Sequence, residues 1–180
     1  VDPVSREFLQ NLRDRKDDTI LSQFTKELAN RGIEVISQKL LLQSLLLPPG
    51  VYSKKQPDEK TQEDIDFGMD HAKKIGEWDI GQTVVVKDKS VLAVEAIEGT
   101  DECILRGGKL ARKKGAVVCK AEKKHQDDRF DIPTVGLDTL KVMKRSGANV
   151  LAIEANKTFV VTPEEFVAQV NRLGFIFVAV

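Results

Sequence analysis

The sequence predicts an α/β fold, a mixed β-sheet with flanking helices, and two observations lead to this prediction. The first is that β-rich runs alternate along the chain with helical stretches of about ten residues, an order typical of helices packed on a sheet. The second is that only residues 88–90 separate the first two runs, which therefore form an antiparallel hairpin. The β-rich runs are 83–87, 91–96, 116–120, 150–154 and 175–180.

Length, composition and charge narrow the class of protein. The 180 residues are 41% hydrophobic and 31% charged, which suits a globular chain with one main domain and an N-terminal appendage. The 28 basic and 28 acidic side chains cancel, so we expect no nucleic-acid partner. The longest apolar stretch, 40–47, is interrupted by Gln43 and Ser44 and is too short to cross a bilayer.

The two cysteines, Cys103 and Cys119, are isolated from each other in the sequence. Neither belongs to a Cys-x-x-Cys pair, so we expect no zinc site and no redox dithiol. We predict that both are reduced residues of the core, as free cysteines usually are. Reduced cysteines and the lack of a signal peptide favour a cytoplasmic location.

The chain up to residue 60 is predicted to form a separate segment. Helical periodicity predicts a helix over 17–31, and a short strand is expected over 33–36. A second helix is predicted over 38–46. The polar, proline-bearing stretch 51–60 then predicts a linker or an exposed loop. We therefore place the start of the main domain after it.

Four helices are predicted in the main domain. Thr61 is the expected N-cap of the first helix, and Thr100 or Asp101 that of the second. Thr162 is the expected N-cap of the last helix, with Pro163 at its first position. The four helices are expected over 61–75, 100–110, 136–146 and 162–173.

A first polar stretch, residues 95–106, follows a predicted strand and runs into a helix N-terminus. Backbone N–H groups at such a terminus favour phosphate, whereas Glu98 and Asp101 would repel it. A divalent cation between the carboxylates and the phosphate would reconcile these features. The alternative is that Thr100 and Asp101 only cap the helix and that the glutamates are solvated.

A second polar stretch, residues 126–133, holds Asp127, Asp128 and Asp131 around Arg129. Carboxylates clustered around an arginine can hold magnesium, orient a water molecule and neutralise phosphate charge. The alternative is a hydrated loop with one ion pair.

Two further features give weaker indications of a binding site. Gly107 and Gly108 lack the rest of a phosphate-binding P-loop, so they indicate only a close backbone approach. Lys120, Lys123, Lys124 and His125 could line an anionic pocket or simply belong to a solvated rim.

Several of these segments together carry a family resemblance, which runs from about residue 65 to the C-terminus. The chain resembles the bacterial UDP-2,3-diacylglucosamine diphosphatase (pyrophosphatase) family, the type unrelated to the calcineurin-like phosphoesterases. The residues that carry the resemblance are 79–86, 92–101, 106–108, Gln126, Asp127, Arg129, Asp131, Pro133, Thr134 and Gly136.

The resemblance implies a function and a domain organisation. It implies magnesium-dependent hydrolysis of UDP-2,3-diacylglucosamine to UMP and 2,3-diacylglucosamine 1-phosphate (lipid X) in lipid A biosynthesis, with water attacking the lipid-side phosphorus. Family enzymes have two domains with the substrate bound between them. Residues 1–60 would then be a remnant of the N-terminal Rossmann-like domain plus a linker, and residues 61–180 the C-terminal catalytic α/β domain.

The resemblance also implies residue roles. Asp131 and Asp127 are the expected catalytic residues, whereas Asp128 falls on a variable position of the family. The expected magnesium ligands are Asp131, Asp127, Glu98 and Asp101. The expected substrate-binding residues are Thr100, Arg106, Gly107, Gly108, Arg129 and Lys120.

The last expectations concern the binding partners of the chain and two alternative functions. The substrate is a lipid-linked sugar nucleotide whose acyl chains need an apolar groove or membrane contact, to which 40–47 or 175–180 could contribute. Peripheral contact with the inner membrane and a homodimer stay open. A non-catalytic sugar-nucleotide or anion-binding module is the alternative function, above all if the N-terminal domain is missing, and a structural or oligomerisation domain is a second.

Overall fold

The computed structural model describes residues 17–124 and 127–180, together with residues 6, 8, 10 and 12. The chain divides into two compact units. The smaller unit takes residues 1–42 and 126–131, and the larger unit takes residues 43–125 and 132–180. Within the described ranges, every helix is too short or too polar to span a bilayer.

The described residues of the smaller unit include the helices α1 (Asp17–Asn30) and α2 (Gln38–Leu41), and residues 6, 8 and 10 are helical as well. Helix α1 confirms the first predicted helix. The strand predicted over 33–36 is wrong, because these residues are irregular and no strand in the described part of this unit pairs with them. Ile33 and Ile36 are exposed there.

The second predicted helix, over 38–46, is correct only in part. Leu42 leaves the helical region, with φ −114° and ψ 33°, and thereby ends α2. A 3-10 turn at Gln43–Leu45 follows.

The larger unit is built on a six-stranded mixed sheet, which confirms the predicted fold class. The strand order is β1-β8-β6-β4-β2-β3. Strands β4, β6 and β8 are parallel, whereas β1 and the β2–β3 hairpin pair antiparallel at the two edges. A small parallel sheet of β5 and β7 accompanies it. The strands are β1 (Gly50–Val51), β2 (Thr83–Lys87), β3 (Ser90–Val94), β4 (Ala116–Lys120), β5 (Thr134–Val135), β6 (Ala148–Ile153), β7 (Phe159–Val160) and β8 (Ile176–Ala179).

Helices cover both faces of the six-stranded sheet, and the four predicted helices are confirmed. Side chains alternate across a strand, so Val84 and Val86 join the core cluster under α3, whereas Val85 joins the cluster under the other three helices. The N-cap of α3 is Asp58 rather than Thr61, because the Asp58 carboxylate accepts the Thr61 N–H at 2.8 Å. The helices are α3 (Glu59–Glu77), α4 (Gly99–Leu110), α5 (Leu137–Ser146) and α6 (Pro163–Leu173).

Part of the stretch expected as a linker is bound to the sheet. Val51 pairs with Val178, and the Ser53 hydroxyl accepts the Phe177 N–H at 2.9 Å. These contacts explain why the larger unit begins at Gln43, upstream of the boundary predicted after residue 60. That domain boundary stays a prediction.

The β2–β3 turn forms without the glycine that such hairpins usually contain. Asp88 and Lys89 both adopt positive φ, 51° and 52°, which costs free energy in residues with a side chain. Asp64 on α3, only 5% exposed, offsets this cost, because its carboxylate accepts the N–H groups of Asp88 at 2.9 Å and Lys89 at 2.6 Å.

Two glycines allow α4 to lie close to its neighbours. A Cβ at Gly107 would stand 2.5 Å from Val85 Cβ on β2, and one at Gly108 would stand 2.3 Å from the Ser146 carbonyl oxygen on α5. Ser146 offers backbone there, which cannot move without displacing the helix end. Close packing therefore requires glycine at both positions.

We predict that Gly108→Ala destabilises the larger unit. Alanine favours helix by about 1 kcal/mol over glycine, but overlap with a backbone oxygen should outweigh this gain and lower the free energy of unfolding by about 1–3 kcal/mol. Urea denaturation followed by circular dichroism measures the change. Lys109→Ala, at the next and exposed position, is the control and should stay within about 0.5 kcal/mol of wild type. A variant at Gly108 as stable as this control would contradict the packing argument.

We also predict that Asp64→Asn lowers the free energy of unfolding by about 1–3 kcal/mol, because an amide can accept only one of the two turn N–H groups and leaves the other facing its own NH₂. The same denaturation experiment tests this. Ser90→Ala removes the 3.4 Å hydrogen bond that the Ser90 hydroxyl donates to the Asp88 carbonyl oxygen on the exposed side of the turn. Its effect on the free energy of unfolding should be much smaller. Equal losses in the two variants would show that the turn does not depend on Asp64.

Candidate active site

Buried polar side chains gather at one edge of the six-stranded sheet, where the parallel strands have their carboxyl ends. Lys120 ends β4 and Glu154 follows β6. The antiparallel hairpin brings the start of β2 and the end of β3, with Thr83 and Glu95, to the same edge. All four residues are at most 7% exposed. Ligands of open α/β sheets bind at this edge, so it is the candidate active site.

A chain of hydrogen bonds joins three of the polar residues at this edge. The Lys120 ammonium donates to Thr100 Oγ1 at 3.0 Å, and the Thr100 hydroxyl donates to Glu95 Oε1 at 3.0 Å. Thr83 Oγ1 lies 3.5 Å from Thr100 Oγ1. The structure therefore brings together Thr100 and Lys120, two of the residues predicted to bind substrate.

Thr100 belongs to the first turn of α4 and does not cap it. The N-cap position is Glu98, which makes no side-chain capping bond. The prediction of Thr100 or Asp101 as the N-cap is thus wrong, because the Thr100 hydroxyl is bound to Glu95 instead. The first N–H groups of α4 are left without a capping side chain beside the Lys120 charge, an arrangement that favours an anion.

Glu98 and Arg106 form an ion pair that closes the loop between β3 and α4. Arg106 also donates to the Val94 carbonyl oxygen at 2.8 Å, and Glu98 Oε2 accepts the Ala96 N–H at 3.1 Å. The Arg106 guanidinium, helped by backbone N–H groups, lowers the pKa of the Glu98 carboxyl. Both groups are therefore already partnered.

Glu154 holds a second set of contacts, on the α3 face of the edge. One carboxylate oxygen accepts the Glu122 N–H at 2.9 Å, and the other lies 2.9 Å from the Lys157 ammonium and 3.8 Å from that of Lys73. This network joins the loops that follow β4 and β6.

The second acidic loop lies in the smaller unit, where Arg129 forms a fork with Asp127. Arg129 Nε is 2.9 Å and 3.1 Å from the two Asp127 oxygens, and a terminal nitrogen is 2.5 Å from Asp127 Oδ2. This pairing lowers the pKa of the Asp127 carboxyl. The Arg129 guanidinium also lies 5.9 Å from the centre of the Phe130 ring. Gln126, which contributes to the family resemblance, and His125 lie outside the described residues.

Backbone contacts fix the shape of this loop within the smaller unit. Asp131 N donates to the Asp127 carbonyl oxygen at 3.0 Å. At the start of α2, Gln38 donates from its backbone to the Asp128 carbonyl oxygen and from its side chain to that of Arg129, both at 3.2 Å. Asp131 itself is exposed, and its carboxylate takes no part in the ion pairs of the described residues.

The carboxylates predicted as magnesium ligands differ in availability. Glu98 and Asp127 are paired with arginines, whereas Asp101 and Asp131 are exposed and form no ion pair within residues 17–124 and 127–180. Across these same ranges, no three His, Cys, Asp or Glu side chains form a group that could hold a metal. Magnesium often takes only one or two carboxylates and completes its shell with water and substrate phosphate. A single open carboxylate such as Asp101 or Asp131 is compatible with that chemistry, and the assignment of the four carboxylates to magnesium stays a prediction.

Other predicted site residues have structural explanations. Packing accounts for Gly107 and Gly108, which are buried against Val85 and Ser146. Their assignment to substrate binding stays a prediction, as do the roles assigned to Arg106 and Arg129.

The stretches proposed for the acyl chains also differ. Residues 175–179 are buried in and beside β8 and therefore belong to the core. Leu40 and Leu41 are 63% and 72% exposed, whereas Val180 is the exposed residue of the second stretch, at 42%, so the first stretch offers the larger apolar surface.

Both cysteines are buried free thiols, as predicted. Burial raises the pKa of the Cys103 thiol to about 12 and also raises that of Cys119. Neither thiol ionises near neutral pH, so thiolate chemistry is excluded for both.

Sequence reasoning missed Glu95, Thr83 and Glu154. The alternation of side chains along a strand could have predicted the burial of the two glutamates. Glu95 continues the face that carries Ala93, and Glu154 continues the face that carries Ala152. Both glutamates are therefore directed against a helix layer rather than into solvent.

Comparison with known proteins identifies the family of the chain. The family model of the LpxI C-terminal domain matches residues 48–178, and that of the LpxI N-terminal domain matches residues 1–45. The chain is 34% identical over 171 residues to the UDP-2,3-diacylglucosamine pyrophosphatase LpxI of Caulobacter vibrioides. The match covers 91% of this chain and 61% of that relative. The chain therefore belongs to the LpxI family.

Proposed function

We propose that this chain takes part in hydrolysing the diphosphate of UDP-2,3-diacylglucosamine, which releases UMP and 2,3-diacylglucosamine 1-phosphate for lipid A synthesis. The relative from Caulobacter is named for its action on this substrate. The observation that supports the proposal is the Lys120–Thr100 pair at the N-terminus of α4, 3.0 Å apart. It places a cation beside the first N–H groups of a helix, and a diphosphate binds to such donors.

The diphosphate binds where these groups converge. Lys120 is only 6% exposed, so its charge is weakly screened by solvent and acts from beneath Thr100. The first N–H groups of α4 supply donors that need no reorganisation when negative charge grows on the phosphate oxygens. Binding and charge stabilisation thus share the same groups.

Asp131 is the proposed catalytic carboxylate, with Asp101 as the second available one. Magnesium, when bound, would neutralise charge on the diphosphate oxygens and so favour attack of water on the phosphorus. Asp131 is exposed and in no ion pair among the described residues, so it can orient water or a metal ligand without losing a partner.

Glu98 and Asp127 require an exchange of partners before they can serve the metal. A phosphate can accept from Arg106 in place of Glu98, and it can offer Arg129 a forked contact like the one that Asp127 now provides. We propose that the diphosphate takes the arginine and thereby releases the carboxylate. Substrate and metal would then bind together rather than independently.

The alternative is a sugar-nucleotide or anion-binding module without catalysis, which would use the same Lys120–Thr100 pair. Product analysis separates the two, because only an enzyme releases UMP. The cytoplasmic location, contact with the inner membrane and a homodimer stay predictions.

We predict that Asp131→Ala lowers kcat for the release of UMP by at least about 100-fold. Substrate affinity should stay within about threefold of wild type, because the lost carboxylate acts on the attacking water or the metal rather than on the nucleotide. Chromatography of UMP and equilibrium binding of the substrate measure the two effects.

Asp128→Ala is the matched control in the same loop. Its backbone carbonyl, not its carboxylate, accepts the contacts from Ser37 and Gln38, so turnover should be near wild type. An Asp131→Ala variant with near-normal kcat would remove this residue from the mechanism.

We predict that EDTA stops UMP release and that added magnesium restores it, because no three carboxylates in the described ranges form a cage that would retain the ion. The melting temperature without substrate should hardly change, since the ion binds with the diphosphate. Full activity after exhaustive chelation would contradict the proposed magnesium dependence.

A further inference from the structure

We propose that Glu95 is a positioning residue, which holds Thr100 and Lys120 in the geometry that receives the diphosphate. This inference rests on the proposed function. It concerns a residue that is missing from the set expected to bind metal or substrate.

The direction of the hydrogen bonds supports this role. A lysine ammonium can only donate, and a carboxylate can only accept. Lys120 therefore donates to Thr100 Oγ1, and the Thr100 hydroxyl has its single proton directed to Glu95 Oε1. The Thr100 oxygen is thereby kept as the acceptor that fixes the ammonium, and one rotamer of each side chain is selected.

Burial makes the arrangement stiff. Glu95 and Lys120 are 7% and 6% exposed, and burying two such charges is costly unless they compensate each other. Thr83, with no exposed surface, closes the cluster 3.5 Å from Thr100. Thr100 is bonded to both charged groups and therefore links them.

The backbone around Glu95 leaves it little freedom. Its N–H donates to the Thr83 carbonyl oxygen at 2.9 Å. A Cβ at Gly81 would stand 2.1 Å from the Glu95 carbonyl oxygen, so the neighbouring loop lies directly on this residue. Glu95 Oε2 is buried and makes no hydrogen bond to a described residue, which leaves Thr100 as the group that its carboxylate orients.

Lys120 and the first N–H groups of α4 are the groups proposed to meet the phosphate, and Glu95 acts on Lys120 through Thr100. A shift of the ammonium by about 1 Å is enough to reduce turnover strongly. Charge and geometry at the sheet edge thus depend on one buried carboxylate.

A double-mutant cycle on the full chain tests the proposal. Wild type, Glu95→Gln, Thr100→Val and the double variant are compared by kcat and KM for UMP release with saturating magnesium. Glu95→Gln keeps the shape and removes the charge, and kcat/KM should fall by at least about tenfold. In the Thr100→Val background the same change should matter less than about twofold, because the connection is already broken. Thr100→Ser, which keeps the hydroxyl, should recover most of the activity lost in Thr100→Val.

Asp64→Asn is the matched control. Asp64 is likewise a buried carboxylate, 5% exposed, but it holds the β2–β3 turn at the opposite edge of the sheet. It should lower the melting temperature while kcat/KM stays within about twofold of wild type below that temperature. If Glu95→Gln does not fold, Glu95→Asp replaces it, since the shorter side chain keeps the charge but cannot reach Thr100, and the same fall is expected.

Three results would overturn the proposal. One is a Glu95→Gln variant with near wild-type kcat/KM, and another is a cycle in which the two effects simply multiply. The third is an equal loss in Asp64→Asn, which would show that removing any buried charge has this effect. A wild-type protein that releases no UMP would instead refute the proposed function, so the two failures are distinguishable.

Discussion

Helix α4 lies so close to strand β2 that a single methyl group at Gly107 would overlap Val85. The same helix touches the end of α5 through Gly108, where a side chain would overlap the Ser146 carbonyl oxygen. The α4 backbone packs directly against the Val85 side chain, and this contact fixes the height of the helix above the sheet. That height sets where the N-terminus of α4 meets the sheet edge. The contact between Thr100 and Glu95 exists only because the helix lies this close.

The candidate site shows how buried charge can be tolerated at such an edge. Lys120 and Glu95 would each be unfavourable alone, and Thr100 connects them with one hydroxyl group. On the other face, the buried charge of Glu154 is compensated by a hydrogen bond from a backbone N–H and by an ion pair with an ammonium group. Such networks are more costly to disturb than apolar contacts, because removing one member leaves the others unpaired in a region with little water. The hydrogen bonds of this edge are therefore formed before any ligand binds.

The predicted magnesium ligands divide into two kinds in the structure. Glu98 and Asp127 are held by arginines, and the neighbouring guanidinium lowers the pKa of each carboxyl. Asp101 and Asp131 are open. In each of these pairs the carboxylate and the guanidinium neutralise each other, and a phosphate could replace the carboxylate as the partner of the arginine. In the proposed mechanism, binding of the metal would therefore depend on the presence of substrate.

The sequence by itself determined the fold class, the four long helices and the β2–β3 hairpin, because periodicity and stop signals are local properties of the chain. It also identified Thr100 and Lys120, though without their connection. It failed at 33–36, where an apolar stretch lacks a partner strand, and at Glu95, whose burial depends on α4 lying above it. Only the tertiary structure decided that Gly107 and Gly108 are packing positions and that Glu98 and Asp127 are already paired. Pairing, burial and close approach join residues far apart in the sequence, and local pattern carries no information on such contacts.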